Sequence, residues 1–470
     1  MKIIKILYNS PMLKFLEEKH LRLSDITFVL ATLFAVPVIT EGVMQMGVLN
    51  PETPIVPLGL TISTSIITIL LLAVGLFFEF KFYKSTVRLI PLAVCILLIL
   101  SGCLTIFLAP EAIVVTYQDI NGGPLELGTH ISGTVRFSYF MTYLIIISFI
   151  YIGIFVVPQR IKSTKIILFL INCLMVVTLI SIIYSLITEF RQYGSFLQFV
   201  FSGQTGGEIK EYTIESFWNH RNMYGAFLEF SIFAAMVAYS LSKNKINFAF
   251  IALFFIEMIF TFCRTSLLIS IVGIIAWIVA LLLVKFKDDK KKFIIALSSI
   301  CGTIAVILAI SLTLIFAVPS INEMFTKMFE AGGTIVGRAK IWKKALEIIS
   351  GHVVFGRGYG NFNSTLFVVN SLVLSDATFS THSFFFSILG RAGIFGLLAF
   401  FALIAFTVKT CINISKKNLF LCITFILVML GMIIHCVFED HYYVLFIVSA
   451  VTLFLDNALD PKEEKRLSLF

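Results

Sequence analysis

Residues 246–284 read INFAFIALFFIEMIFTFCRTSLLISIVGIIAWIVALLLV, which is two apolar runs joined by the short segment Phe262-Cys263-Arg264. Each run is long enough to enter a lipid bilayer as a helix. A charged side chain at membrane depth is costly unless it faces a cavity, a partner or a ligand, so Arg264 is a candidate functional residue. The stretch therefore predicts two membrane-spanning helices with a functional arginine at the turn between them.

The rest of the chain has the same apolar character. Of its 470 residues, 59% are hydrophobic and 13% are charged, and 49 are phenylalanine. This composition lies far outside the range of soluble domains and indicates an all-α polytopic membrane protein. Apolar runs of about twenty residues predict about twelve transmembrane helices. They lie near 26–47, 56–79, 89–109, 137–157, 166–187, 223–241, 246–262, 266–284, 293–317, 382–407, 418–438 and 441–456.

The distribution of Lys and Arg predicts the orientation of these spans. Most basic residues fall on one side of the membrane if the N-terminus is cytoplasmic. Both termini are then cytoplasmic, and longer connections near 110–136, 188–222 and 318–381 lie outside. The predicted organisation is a cytoplasmic or interfacial segment at 1–24, nine spans within 25–317, a large extracytoplasmic loop at 318–381, three spans within 382–456 and a cytoplasmic tail at 457–470.

Charge and cysteine content exclude several classes of function. The net charge is +9, but the basic residues lie mainly in short connections, where the orientation of a membrane protein explains them. We therefore predict no nucleic-acid partner. The eight cysteines are scattered without CxxC or histidine-rich spacing, which indicates neither a metal site nor a disulfide framework.

The large outer loop contains the sequence RAKIWKKALEII at 338–349. Its apolar residues share one helical face, which is typical of a short amphipathic helix at a membrane surface. Arg338 opens this helix after a glycine-containing segment, so its guanidinium would stand beside the free N–H groups of a helix N-terminus. That combination favours anion binding. The alternative is a surface arginine that begins a surface helix.

Other polar residues fall near the same predicted outer side. His382 ends the large loop and could take a proton from a hydroxyl near neutral pH, or be structural. Glu439 and Asp440 lie between the last two apolar runs, where they could bind sugar hydroxyls, orient a histidine or form a polar turn. Arg357, within the glycine-rich segment 356–360, could be carried toward the site by a compact turn.

Several separated motifs resemble the O-antigen ligase and polymerase superfamily of bacterial envelope assembly. Residues 264–268 match its Arg-x-x-x-Leu element, and 337–362 contain a Gly-Arg, tryptophan and glycine-rich signature similar to that of its outer loop. Residues 382–396 fit the His-[Asn/Ser/Gln]-x9-Gly-x-x-Gly pattern of its ligase branch, and Asn-His-Arg-Asn at 219–222 resembles the polar entry to a middle span. The resemblance is best over 210–400.

The resemblance implies a membrane glycosyltransferase of GT-C-like architecture. It would use a polyprenyl-diphosphate-linked glycan as donor, and because the diphosphate is already a good leaving group, fixed arginines could stabilise it without a metal. We therefore predict a metal-independent inverting enzyme with no cofactor. The predicted catalytic residues are Arg264, Arg338 and His382, and the predicted ligands of the pyrophosphate or glycan are Arg221, Arg357, Glu439 and Asp440.

The identity of the acceptor distinguishes the functions that remain open. A polymerase of surface-polysaccharide repeat units is favoured over an O-antigen ligase that uses lipid A core or another envelope acceptor. A flippase or exporter of lipid-linked oligosaccharide is the alternative from another class, although no internal repeat is evident. Expected partners are the lipid-linked donor, a glycan or lipid-glycan acceptor, membrane lipids, a chain-length regulator and a flippase. The predicted location is the bacterial cytoplasmic membrane, with the active site facing outward.

Overall fold

The computed structural model describes residues 23–45, 58–81, 92–93, 95–97, 112–118, 124–130, 141, 144–145, 147–149, 151–156, 164–202, 213–218, 221–319, 322, 334–358, 362, 366, 381–438, 451–453, 455–456 and 458–459. The main elements in these residues are α1 (Leu23–Gln45), α2 (Leu58–Lys81), β1 (Ala112–Gln118), β2 (Pro124–His130), a π-helix (Ile152–Val156), α3 (Thr164–Thr188), α4 (Phe190–Ser202), a 3-10 turn (Ser216–Trp218), α5 (Arg221–Ser242), α6 (Ile246–Thr261), α7 (Arg264–Lys285), α8 (Lys290–Ala317), α9 (Thr334–Ile349), α10 (Phe384–Ser415) and α11 (Leu419–Phe438).

The protein is a multi-pass membrane protein. Within the described residues, six helices are long and apolar enough to cross a bilayer, namely α3, α5, α7, α10, α11 and residues Ser63–Lys81 of α2. Shorter apolar helices occupy Leu23–Ala35 and α6. The predicted spans near 89–109 and 441–456 fall mainly outside the described residues. The count of twelve spans, the positions of the termini and the GT-C-like architecture stay predictions.

The structure supports the all-α prediction with one exception, a single hairpin among the described elements. Strands β1 and β2 pair antiparallel within the connection predicted at 110–136, with Val115 opposite Leu127. The other regular elements that the structure describes are helices. The sequence of β1 favours a strand, because it is rich in β-branched residues.

The chain divides into two compact units. The first comprises Met1–Arg160, Ile341–Thr381 and Phe385–Ala405, and the second comprises Ile161–Lys340, His382–Phe384 and Phe406–Phe470. In the first unit, α1 packs against α2. In the second unit, α5 is the central helix, since it packs against α3, α6, α7 and α11 and most of its residues are buried.

Polar side chains connect the helices around α5. Thr178 of α3 hydrogen bonds Ser231 of α5 at 2.9 Å. Ser240 of α5 and Thr424 of α11 are 3.0 Å apart, and the indole Nε1 of Trp277 in α7 donates to the same Thr424 hydroxyl at 3.2 Å. Hydrogen bonds between transmembrane helices contribute on average about 0.6 kcal/mol each, so these contacts select helix neighbours more than they stabilise the fold.

In the first unit, helix α9 buries the apolar face that its sequence predicts. Ile341, Ala345, Ile348 and Ile349 form a buried cluster with Phe362, Leu366 and the partly buried Leu389. The predicted face also included Leu346, which is 47% exposed. Trp342 on the same helix also contacts protein, since its Nε1 donates to the carbonyl of Thr381 at 2.8 Å. Helix α9 therefore packs on its own loop and on α10.

A break in α10 receives the glycine-rich turn of the outer loop. Gly393 has φ 63° inside the helix, and a Cβ there would lie 2.2 Å from the carbonyl oxygen of Val354. Around this break, the backbone N–H of Arg357 donates to the carbonyl of Gly390 at 2.7 Å and that of Ile394 donates to Val353 at 2.8 Å. The broken helix thus holds the turn through backbone hydrogen bonds.

Candidate active site

Arg221 and Arg264 are the first residues of α5 and α7. The first turn of a helix presents unsatisfied N–H groups and the positive end of the helix dipole, both of which attract anions. Both side chains are half-buried. The charge of Arg264 also interacts with the charges of Arg221 and Arg338 in the second unit. Guanidinium groups bind phosphate oxygens through charge-assisted hydrogen bonds, so this cluster is suited to a multivalent anionic ligand.

The turn between α6 and α7 explains how two of these arginines come close. Phe262 has the left-handed φ of 51° and Cys263 is extended, so the chain reverses in two residues. The hydroxyl of Thr261 accepts the backbone N–H of Cys263 at 3.2 Å. Gly225, one turn into α5, makes room for this turn, since a Cβ there would lie 2.4 Å from the Cβ of Cys263.

We predict that Gly225→Ala lowers transfer activity by separating α5 from this turn. The added methyl group meets the rigid Cβ of Cys263, and overpacking of this kind costs about 1–3 kcal/mol. Activity per folded molecule, measured after size-exclusion chromatography, is the readout. The double variant Gly225→Ala/Cys263→Gly removes the opposing Cβ and should recover activity. A fully active Gly225→Ala protein would contradict the packing argument.

Arg338 lies on α9 and is 8% exposed. Its Nη1 donates to the backbone carbonyl of Phe438, the last residue of α11, at 2.7 Å. A helix C-terminus carries free carbonyl groups and the negative end of the dipole, which suits a guanidinium. The guanidinium is a rigid planar group, so this contact fixes the orientation of the Arg338 side chain. The structure thus brings together three of the arginines that the sequence singles out.

His382 immediately precedes Ser383, the N-cap of α10, in the second unit. It has a left-handed φ of 49°, and its side chain is half-buried. Thr381, the residue before it, is tied into the first unit, where its hydroxyl is 2.8 Å from the hydroxyl of Ser387. The backbone on which His382 stands is therefore defined. Its role as a base stays a prediction.

Arg357 belongs to the first unit. Its Nε donates to the carbonyl of Ile348 at 3.0 Å, which gives this side chain a structural contact at the end of α9. Burial lowers the pKa of His352, and the positive charge of Arg357 lowers it further, in keeping with a neutral structural histidine.

The predicted ligands Glu439 and Asp440, which follow α11, lie outside the described residues. So do Asn219 and His220 of the motif at 219–222.

Sequence reasoning missed a buried carboxylate in α6. Glu257 Oε1 accepts hydrogen bonds from Ser185 at 2.6 Å, Tyr193 at 2.8 Å and Tyr224 at 3.0 Å. Burial raises the pKa of the Tyr193 phenol, so this hydroxyl stays protonated and donates. The signal was available, because an acidic residue inside an apolar run is as conspicuous as Arg264.

A second buried carboxylate pairs with a histidine that the sequence analysis did not use. Glu229 of α5 and His435 of α11 are 2.9 Å apart between Oε2 and Nδ1, and their side chains are 0% and 3% exposed. The pair thus joins α5 to α11 inside the second unit.

A family model described as O-Antigen ligase matches residues 248–401. Over these residues the chain is similar to the O-antigen ligase family, in agreement with the resemblance that its motifs show. The match includes Arg264, Arg338, Arg357 and His382. A search of curated proteins finds no match to the chain. A match to this family favours a function in glycosyl transfer from a lipid-linked donor to an acceptor in the membrane.

Proposed function

We propose that the protein is a glycosyltransferase that moves a glycan from polyprenyl diphosphate to an acceptor hydroxyl at the outer face of the cytoplasmic membrane. The favoured reaction is polymerisation of the repeat units of a surface polysaccharide. One observation carries the proposal: the charges of Arg221, Arg264 and Arg338 meet at the starts of α5 and α7 and at the end of α11. A diphosphate is the multivalent anion that suits such a cluster.

In the proposed mechanism, the acceptor oxygen attacks the anomeric carbon from the side opposite the diphosphate. A new carbon–oxygen bond forms as the bond to the phosphate oxygen breaks, and the electron pair of that bond leaves with the diphosphate. The acceptor proton passes to the imidazole of His382. A single displacement of this kind inverts the configuration at the anomeric carbon.

The arginines stabilise the charge that develops on the leaving group. Arg264 and Arg221 act together with the helix N-termini that they begin, and Arg338 acts from its anchor on the carbonyl of Phe438. Fixed donors aimed at developing charge are commonly worth about 10²–10³ in turnover. Three guanidinium groups supply the positive charge that a divalent cation supplies in many other transferases. Arg357, Glu439 and Asp440 are proposed to contact the glycan or the diphosphate.

The test is an assay of purified protein in nanodiscs with a polyprenyl-diphosphate-linked repeat unit. We expect longer lipid-linked glycans and free polyprenyl diphosphate, at a rate that a chelator such as EDTA does not change. Nuclear magnetic resonance of the product should show an inverted linkage. Loss of activity in the chelator that added Mg²⁺ restores would contradict the metal-independent mechanism.

Ligase activity is the second candidate, because the matching family is described as O-Antigen ligase. The same assay separates the two reactions. A polymerase extends the donor glycan without any other acceptor, whereas a ligase forms product only when lipid A core or another envelope acceptor is added. Movement of the donor across the bilayer without a new glycosidic bond would instead identify a flippase. A polymerase would work beside a flippase and a chain-length regulator, which are its proposed partners.

A further inference from the structure

The buried pair of Glu229 and His435 has no part in the proposed chemistry. Its two ionisable side chains are 2.9 Å apart and almost fully buried inside helices that are apolar enough to span a membrane. Ionisable groups at such positions are rare and usually functional. Replacement of a buried ion pair by apolar residues is often neutral or stabilising, so stability alone is a weak reason for this one.

The pair is close in sequence to the ends of α5 and α11 at the arginine cluster. His435 is three residues before Phe438, so about 4.5 Å of helix separates it from the residue whose carbonyl holds Arg338. Glu229 lies about two turns beyond Arg221 on α5.

Such a pair can set the position of one helix along its axis relative to the neighbouring helix. Apolar helix faces in lipid slide past one another with little change in buried apolar surface, because lipid tails are as apolar as the partner helix. A polar contact at one level along the helices opposes this sliding, as a single buried polar residue fixes the register of a coiled coil. Glu229 and His435 make such a contact between α5 and α11 near the helix ends that hold the arginine cluster. Ser240 and Thr424 are 3.0 Å apart eleven residues farther from the cluster, and Trp277 still donates to Thr424 when Ser240 is replaced.

We propose that Glu229 and His435 are positioning residues for glycosyl transfer. By fixing α5 against α11, they set the position of the Phe438 carbonyl along the helix axis and therefore the place of Arg338 relative to Arg221 and Arg264. This inference rests on the proposed function. It predicts that the pair acts on the chemical step through Arg338 and has little influence on how the donor is first bound.

The decisive variants are Glu229→Gln and His435→Gln, with Ser240→Ala as the matched control. Ser240→Ala breaks a buried contact between the same two helices, three turns away from the cluster. We expect each of the first two to lower kcat by about 10²-fold, since misplacement by about 1 Å can have this effect, with KM for the lipid-linked donor nearly unchanged. Ser240→Ala should keep the kcat of the wild type.

A double-mutant cycle with Arg338→Ala separates positioning from simple stabilisation. If the pair acts through Arg338, Glu229→Gln should lower kcat no further in the Arg338→Ala background. Multiplied losses in that background, or a kcat near the wild type in both single variants, would overturn the inference. Thermal unfolding of each variant gives the folded fraction used to normalise kcat. An inactive wild-type protein would refute the proposed function itself, whereas an active wild type with unaffected Glu229→Gln would refute only the positioning role.

Discussion

Replacing Arg264 with alanine is expected to lower turnover of a lipid-linked glycan donor by about 10²- to 10³-fold while the protein stays folded. The side chain begins α7, so its charge adds to the positive end of that helix dipole. It also interacts with the charges of Arg221 and Arg338. Removal of the central member leaves the departing diphosphate with two separated cations, whereas the packing of α7 along its length is unchanged.

The measurement is kcat and KM in nanodiscs with a defined lipid-linked donor. Arg191→Ala is the matched control, because Arg191 is an exposed arginine on α4 in a connection predicted to lie on the same outer side. Arg264→Lys should be intermediate, since lysine keeps the charge and loses the planar fork. Wild-type turnover in Arg264→Ala would remove Arg264 from the catalytic residues.

Gly393→Ala is expected to destabilise the protein by roughly 2–6 kcal/mol, through strain at the positive φ together with overpacking. Gly393 has φ 63°, and an added Cβ would lie 2.2 Å from the carbonyl oxygen of Val354. This oxygen belongs to the backbone, so no side-chain rotation relieves the clash. The glycine-rich turn would have to leave the break in α10, with loss of the backbone hydrogen bonds from Arg357 and Ile394.

Thermal unfolding in detergent and the yield of monodisperse protein measure this effect. Gly302→Ala in α8 is the control, since a Cβ at Gly302 meets nothing within 4 Å. Alanine is also the better helix former, so this control should match or slightly exceed the wild type in stability. A Gly393→Ala protein as stable as the control would show that the turn does not depend on the break in α10.

The sequence predicted the features that depend on local pattern. The apolar runs on either side of Arg264 became α6 and α7, because a helix is the form that satisfies a backbone in lipid. The face of α9 followed from its helical periodicity, with Leu346 as the exception. Arg221, Arg264 and Arg338 were each singled out because a positive charge on the predicted outer side needs an explanation, and the structure groups them.

Two kinds of feature were not predicted from the sequence. Some depend on contacts between residues far apart in the chain, and others were missed because the search considered only one kind of residue or pattern. The carbonyl that holds Arg338 is that of Phe438, one hundred residues away, and no local pattern identifies it. Glu229 and Glu257 were missed because the argument about buried charge was applied to arginine and not to carboxylates. The hairpin of β1 and β2 was missed because the search was for long apolar runs and not for two-residue alternation.

The central place of α5 has a consequence for biogenesis. It is the least apolar of the six candidate spans, and it carries Glu229 within its length. A segment of this kind partitions poorly from the translocon into lipid by itself. Its insertion therefore depends on helices that shield its polar residues, with α3 made before it by the ribosome and α6, α7 and α11 made after it. Truncations that end shortly after α5 should consequently be recognised by quality-control proteases, because such chains lack His435, the residue that pairs with Glu229.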